Sequence, residues 1–130
     1  IKNNNILLEY YFGPTTDIEI NCDERKMHQV FINLFKNAIE AIAQKKLTSG
    51  KICCNVFFKD NACEIEIKDN GIGLSKDKTA QIFTPFFTTK ESGTGLGLTI
   101  VQNIIAAHNG RLEFNSIEDE GTTIKIILPV

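Results

Sequence analysis

Apolar residues recur at helical spacing, three or four positions apart, in two long segments of the chain. The first segment predicts a helix from a cap at Asp23 to about Gln44. The second predicts a helix from Gly95 to His108, and the HNG sequence that ends it puts Gly110 in the left-handed cap position. The apolar positions of the first helix are Met27, Val30, Phe31, Leu34, Phe35, Ala38, Ala41 and Ile42.

Six shorter runs are rich in β-branched and aromatic residues and predict strands. A Gly-Pro turn or loop signal divides the first two runs, which we expect near a sheet edge, and Asp60 with Asn61 joins the next two as a hairpin. The order of strands, helix, strands, loop, helix and strands predicts an α+β two-layer sandwich. Its sheet is mixed and mostly antiparallel, with helices on one face. The runs cover residues 5–12, 17–20, 51–59, 62–69, 111–116 and 122–128.

A long segment at 74–94 lacks sustained periodicity and carries polar residues, one proline and a cluster of phenylalanines. Only a brief helical pattern appears near 77–83. Because such a long irregular stretch is uncommon inside a compact domain, we interpret it as a functional loop or lid.

The composition describes a globular domain and excludes several function classes. The 130 residues are 42% hydrophobic and 23% charged, with a net charge of -2, which disfavours a nucleic-acid or membrane-surface platform. No apolar run approaches the roughly 20 residues of a membrane span. The chain starts with Ile1 rather than methionine, so we expect a single domain over residues 1–130 that is a fragment of a longer protein.

Four cysteines occur without the spacing of metal ligands. We interpret them as reduced, partly buried thiols of a cytosolic domain, with no assigned chemistry. They are Cys22, Cys53, Cys54 and Cys63.

Strand alternation directs two polar side chains toward the predicted core. In CEIEIKD, Asp69 shares a face with Ile65 and Ile67, and in TTIKIIL, Thr122 shares a face with Ile124. The alternative for Asp69 is a turn aspartate in Asp-Asn-Gly that has already left the sheet, and alternation alone does not decide between the two. If the two strands are neighbours, a carboxylate and a hydroxyl line one pocket that suits a flat heterocycle with an exocyclic amine, such as adenine.

Asn33 and Asn37 lie one turn apart on the first helix, on a polar stripe opposite the apolar face. The alternative is a solvated helix face, but such faces favour Lys, Glu and Arg, whereas asparagine is a mediocre helix former. A carboxamide oxygen can bind magnesium, and phosphates and waters then complete the octahedral coordination of the metal. The rest of the stripe is Gln29, Lys36, Glu40 and Gln44.

The GTGLGL sequence at 93–98 leads into the second helix, whose free N–H groups and dipole attract anions. Glycine lets a backbone approach phosphate oxygens closely. A structural turn is the default interpretation of a lone glycine motif, and the sequence lacks the pattern of a dinucleotide fold or a P-loop. The phosphate interpretation therefore depends on the other motifs.

Four motifs occur in order: NLFKNAIEAI, DNGIGL, TPFFTTK and GTGLGL. Together they resemble the N, G1, F and G2 boxes of the ATP-binding catalytic domain of sensor histidine kinases, which have the Bergerat fold. The likeness spans residue 5 to Pro129, and the KNAIEA variant with the short lid resembles kinases of the nitrogen-regulation and sporulation type.

The resemblance implies roles for individual residues. Asp69 accepts a hydrogen bond from the adenine amine, with Gly71, Gly73 and Thr122 around the base. Asn37 binds Mg²⁺ and is catalytic together with Asn33 and Lys90, and the phenylalanines anchor the lid. The remaining residues implied around ATP are Lys36, Phe87, Gly93, Thr94, Gly95, Leu96, Gly97 and Leu98, with Phe83 and Phe86 in the lid.

The resemblance also implies a protein histidine kinase that uses ATP and Mg²⁺. Related hydrolases carry a general-base glutamate where this chain has Asn33, so autonomous ATP hydrolysis is disfavoured. Neither His28 nor His108 lies in a phosphoacceptor motif, and we interpret both as structural. The implied partners are a histidine-containing dimerisation domain of the same protein and a response regulator receiver domain.

The resemblance implies neither nucleic acid nor direct membrane contact for this cytoplasmic, monomeric fragment, and it leaves open a membrane anchor in the parent protein. Two other functions are open at this point. One is a nucleotide-binding module without transfer activity, and the other is a serine kinase of the same superfamily.

Overall fold

The computed structural model describes residues 5–12, 19–45, 49–81 and 97–130. In these ranges the chain forms five strands and three helices. In chain order they are β1 (Asn5–Phe12), α1 (Glu24–Lys45), β2 (Ser49–Lys59), β3 (Ala62–Asp69), α2 (Lys76–Thr79), α3 (Gly97–Ala107), β4 (Arg111–Ile117) and β5 (Gly121–Pro129).

The five strands form one sheet in the order β1-β2-β3-β5-β4. β1 pairs with β2 in parallel, and every other neighbouring pair is antiparallel. The two long helices pack against each other and against the sheet. The predicted α+β sandwich with a mixed, mostly antiparallel sheet is confirmed.

The core lies between the sheet and the two long helices. On α1 the buried residues recur every three or four positions, which directs one stripe of the helix at the sheet. The inward residues of β3 and β5 alternate with outward ones, as the sequence predicts. The most deeply buried side chains are Val30, Leu34, Ile42, Val101, Ile105 and Ile126.

The ends of α1 and the β2–β3 hairpin follow local sequence signals. Asp23 caps α1 as predicted, because its Oδ1 accepts a hydrogen bond from the Lys26 backbone N–H at 3.2 Å. Asp60 and Asn61 both have positive φ, 52° and 60°. Two consecutive positive φ values are the signature of the type I′ turn, whose twist matches that of the two strands it joins.

The cap of α3 differs from the prediction. Asn109, with φ of 60°, is the left-handed residue, whereas Gly110 is not. Asparagine tolerates this conformation because its short polar side chain bonds locally. Gly110 has another role: a Cβ there would lie 2.8 Å from the Ile127 carbonyl oxygen, so the glycine lets the chain pass close to β5.

The predicted strand at 17–20 is wrong for its described part. Glu19 and Ile20 lie outside the strands, and residues 17–18 lie outside the described residues. Because β1 is paired in parallel with β2, the chain must cross over through α1 before it re-enters the sheet. The segment after β1 therefore belongs to that connection, and Ile20 packs against the core from it.

None of the helices in the described ranges is both long and apolar enough to cross a membrane. The four cysteines are free, and only Cys63 is fully buried. Burial raises the pKa of Cys63 and of the half-buried Cys54 above the ordinary thiol value, so both are unreactive near neutral pH.

Candidate functional site

Asp69 and Thr122 face each other across the centre of the sheet. Asp69 is the last residue of β3, and the antiparallel register pairs it directly with Thr122, at the start of β5. Asp69 is the single charged residue that is buried in the described chain, with 7% of its surface exposed. The alternative of a turn aspartate outside the sheet is therefore excluded.

The Asp69 carboxylate is held by backbone donors. Its Oδ1 accepts a hydrogen bond from the Gly71 N–H at 2.8 Å, and the Thr122 N–H also bonds to the carboxylate. Burial raises the pKa of Asp69 above its usual value, and these two backbone donors oppose the rise. A carboxylate has about four acceptor positions, so further donors can bind to it.

The raised pKa of Asp69 predicts how stability changes with pH. The unfolded chain releases this proton near the ordinary pKa of 3.8, whereas the folded chain releases it at higher pH. Between the two values the folded state binds more protons, so its stability falls as pH rises. Chemical denaturation of the nucleotide-free wild type and of Asp69→Asn measures the free energy of unfolding of each. From pH 4 upward, this free energy should fall in the wild type relative to the variant. A relative gain of the wild type would mean that the backbone donors outweigh burial.

The turn that follows Asp69 is docked on α1. The Ile72 N–H donates to the Ala41 carbonyl oxygen at 3.0 Å, and the Ile72 carbonyl accepts from the Asp119 N–H at 2.7 Å. A Cβ at Gly71 would lie 2.6 Å from the Ala41 carbonyl carbon, so only glycine permits this approach. Gly73 has φ of 66°, in the left-handed region, with the Ile117 carbonyl against it.

Ser116, on the edge strand β4, joins this turn to Thr122. The Leu74 N–H donates to Ser116 Oγ at 2.8 Å, and Ser116 Oγ lies 2.8 Å from Thr122 Oγ1. Ser116 is absent from the residues predicted from the sequence. Strand alternation contains a signal for it, because Ser116 follows Leu112 and Phe114 on the inward face of β4.

Asn33 and Asn37 lie on the same stripe of α1 as Ala41. All three are half-buried, beside the fully buried stripe that includes Leu34 and Ala38. The prediction that the polar stripe lies opposite the apolar face is wrong for these residues, because they lie next to that face. Because Ala41 touches the turn after Asp69, Asn37 lies four residues from that contact, about 6 Å along the axis.

The other polar residues of this stripe vary in exposure. Glu40 is half-buried, whereas Gln29, Lys36 and Gln44 are exposed. The solvated-face alternative thus fits these exposed residues and not the two asparagines. The C-terminal end of α1 is tied to the β4–β5 turn, because Lys45 Nζ donates to the Asp119 carbonyl oxygen at 2.6 Å.

The predicted phosphate loop lies only partly in the described chain. Gly97 is the first described residue of α3, the predicted start at Gly95 lies outside the described residues, and Leu98 is half-buried against the core. The brief predicted helix at 77–83 begins as α2, with Ser75 as its cap. The predicted site residues outside the described ranges are Phe83, Phe86, Phe87, Lys90, Gly93, Thr94, Gly95 and Leu96.

The structure gives His108 a structural contact, while His28 is an exposed residue of α1. His108 Nε2 accepts from the Asp23 N–H at 2.9 Å, and Nδ1 lies 2.7 Å from the Ile104 carbonyl oxygen. Because a backbone N–H can only donate, this geometry requires neutral imidazole with its proton on Nδ1. His108 therefore joins the C-terminal end of α3 to the start of α1.

The chain matches a known family over residues 22–130, a family described as histidine kinase-, DNA gyrase B- and HSP90-like ATPases. Sporulation kinase C of Bacillus subtilis (strain 168) is 38% identical over 98% of the chain. Sensor histidine kinase ZraS of Escherichia coli (strain K12) is 41% identical over 86% of it. The chain spans 29% and 23% of the lengths of these two relatives.

Solved structures of histidine kinases have the same fold. The nucleotide-free catalytic domain of histidine kinase ThkA aligns with a TM-score of 0.81 at 32% identity, over 96% of this chain and 79% of that one. Full-length ShkA in complex with AMPPNP aligns with a TM-score of 0.79 at 25% identity, over 95% of this chain and 25% of that one.

Proposed function

Because the chain belongs to the histidine kinase-, DNA gyrase B- and HSP90-like ATPase family, and its fold is that of a histidine kinase catalytic domain, we propose that it binds Mg²⁺-ATP and phosphorylates a histidine. The γ-phosphoryl acceptor is a histidine on a separate dimerisation domain of the same protein. A response regulator receiver domain then takes the group onto an aspartate. The family is one of ATP-binding domains, and the metal, the acceptor and the relay are our proposals.

One observation carries the proposal: the buried Asp69 carboxylate is paired with Thr122 at the point where the next turn docks on α1. An ionised carboxylate is costly to bury unless donors surround it, and two backbone N–H groups do not fill its acceptor positions. The adenine amine is a further donor of the right kind. These residues fit a purine with an amino group at this position.

The chemistry of α1 fits a magnesium ion that is held chiefly by phosphates. Among the described residues no cluster of three His, Cys, Asp or Glu side chains could hold a metal by itself. Mg²⁺ often takes only one or two protein ligands and completes its octahedron with phosphates and water. Asn37 would supply a carboxamide oxygen, and Asn33 would lie nearer the phosphates. Bound Mg²⁺ would neutralise phosphate charge during transfer.

Asn33 favours transfer over hydrolysis. A general base must accept a proton from the attacking water, and a carboxamide does not do so near neutral pH. The other residues that we propose around the phosphates would hold the triphosphate in place and donate hydrogen bonds to it. Positioning and charge stabilisation are most of what phosphoryl transfer requires. These are Lys36, Lys90, Leu98 and the glycine loop with Thr94 and Leu96. Since ATP is a cytosolic substrate, we propose a cytoplasmic location.

The test combines this domain with a purified, histidine-bearing dimerisation domain of a related kinase and γ-labelled ATP. We expect acid-labile, base-stable label on the acceptor, as a phosphohistidine gives, and little free phosphate without the acceptor. An acceptor whose histidine is replaced by alanine is the matched control.

Two other outcomes would overturn the proposal. ATP binding without any transfer to several acceptor domains would indicate a nucleotide-binding module. Acid-stable label on serine would indicate a serine kinase of the same superfamily.

A further inference from the structure

We propose that Ser116 is a positioning residue that sets the preference of the base pocket for adenine over guanine. The inference rests on the proposed function, because it assigns Ser116 a role in the ATP site. Ser116 does not touch the base in this arrangement. It acts through Thr122 and through the backbone of the turn at 69–74.

Three polar contacts converge on the Ser116 hydroxyl. Its oxygen accepts from the Leu74 N–H at 2.8 Å, lies 2.8 Å from Thr122 Oγ1, and reaches the Gly121 carbonyl oxygen at 3.3 Å. The first two distances are those of good hydrogen bonds, and the third is long for O–H···O. A single half-buried hydroxyl therefore ties the turn after Asp69 to the first residues of β5.

The turn is held by hydrogen bonds along its length, and Ser116 provides the one at Leu74. Asp69 Oδ1 holds Gly71, the Ala41 carbonyl holds Ile72, and Ser116 Oγ holds Leu74. The first two contacts involve the predicted base acceptor and α1. Without the third contact, Ile72 stays bonded to Ala41 and Asp119, but Leu74 loses its hydrogen bond to β4 and the backbone of Gly73 next to it is less restrained.

The orientation of the Thr122 hydroxyl matters because adenine and guanine have opposite patterns of hydrogen-bond donors and acceptors on the same edge. Adenine offers an amine donor beside a ring nitrogen acceptor, whereas guanine offers a carbonyl acceptor beside an N–H donor. Asp69 accepts from the amine at one fixed point, and Thr122 Oγ1 lies at the second. Ser116 occupies one hydrogen-bonding direction of Thr122 Oγ1 and restrains its rotation. A released hydroxyl would turn to suit either base and so discriminate less.

The experiment compares ATP and GTP binding by calorimetry to the wild type and to Ser116→Ala. We expect ATP affinity to fall about 10-fold, and the ratio of ATP to GTP affinity to fall about 5-fold or more. Ser116→Cys keeps the shape with weak hydrogen bonding, so it should show the same direction even if the alanine variant does not fold. Asn115→Ala, an exposed neighbour on the outward face of β4, is the matched control.

A second measurement needs no nucleotide. In the nucleotide-free protein, hydrogen exchange at the Leu74 amide should accelerate about 10-fold in Ser116→Ala and remain unchanged in Asn115→Ala. If Ser116→Ala leaves the ratio of ATP to GTP affinity unchanged, the inference about Ser116 is wrong, while the proposed function stands. Hydrogen exchange at Leu74 that stays at the wild-type rate in Ser116→Ala would contradict the inference in the same way. A wild type that binds neither nucleotide would instead overturn the proposed function.

Discussion

Replacing Asp69 by asparagine should lower ATP affinity about 100-fold or more while the domain stays folded. The carboxylate accepts from the Gly71 and Thr122 N–H groups, and the adenine amine would be a third donor. Asparagine has one carbonyl oxygen and one amide that can only donate. In either orientation the NH2 group of asparagine faces another donor, either a backbone N–H or the adenine amine. The variant therefore cannot accept hydrogen bonds from both the backbone and the base. Calorimetric titration with ATP measures the loss.

A ligand without the amine separates the base contact from general damage. Purine riboside triphosphate lacks the 6-amino group, so it should bind the wild type weakly and lose little more affinity in Asp69→Asn. Glu66→Gln makes the same chemical change on the outward face of β3, where Glu66 Oε1 accepts from Asn55 at 3.3 Å, and should bind ATP normally. Equal losses for both ligands in Asp69→Asn would contradict the amine contact.

The inward direction of Asp69 and Thr122, at the proposed base end of the site, could be predicted from sequence because strand alternation is a local signal. Sequence left open whether their two strands are neighbours, and the register of β3 with β5 shows that they are. The Asp23 cap and the Asp60–Asn61 turn follow from side-chain chemistry within three or four residues. Local rules suffice where the partner atoms are close in sequence.

The predictions that are wrong or incomplete concern features that depend on contacts between residues far apart in sequence. A local rule put Gly110 in the left-handed position, whereas the structure uses it for the approach of β5, and the left-handed residue is Asn109. The predicted strand at 17–20 is wrong at Glu19 and Ile20, since the parallel pairing of β1 with β2, which local patterns do not indicate, makes the segment after β1 part of a crossover. Ser116 was missed although alternation places it on the inward face of β4, because its hydrogen bond with Leu74 joins residues 42 positions apart. Alternation indicates the face on which a side chain lies but not the residue that it contacts.

Replacing Asn37 by alanine should reduce phosphoryl transfer to the histidine acceptor about 1000-fold. The expected cause is loss of the one protein ligand that we propose for Mg²⁺. Alanine favours the helical conformation, so α1 should persist in the variant. Two titrations isolate the metal: ATP in the presence of a chelator should bind both proteins alike, and added Mg²⁺ should strengthen binding only in the wild type.

Gln44→Ala is the matched control for Asn37→Ala, because Gln44 is a carboxamide further along the same stripe of α1 but is exposed. It should transfer phosphate at the wild-type rate. The comparison is informative because both side chains are carboxamides, and Asn37 is half-buried whereas Gln44 is exposed. Transfer by Asn37→Ala within 10-fold of the wild type would exclude Asn37 as the essential ligand, as would an equal loss of ATP binding with and without Mg²⁺.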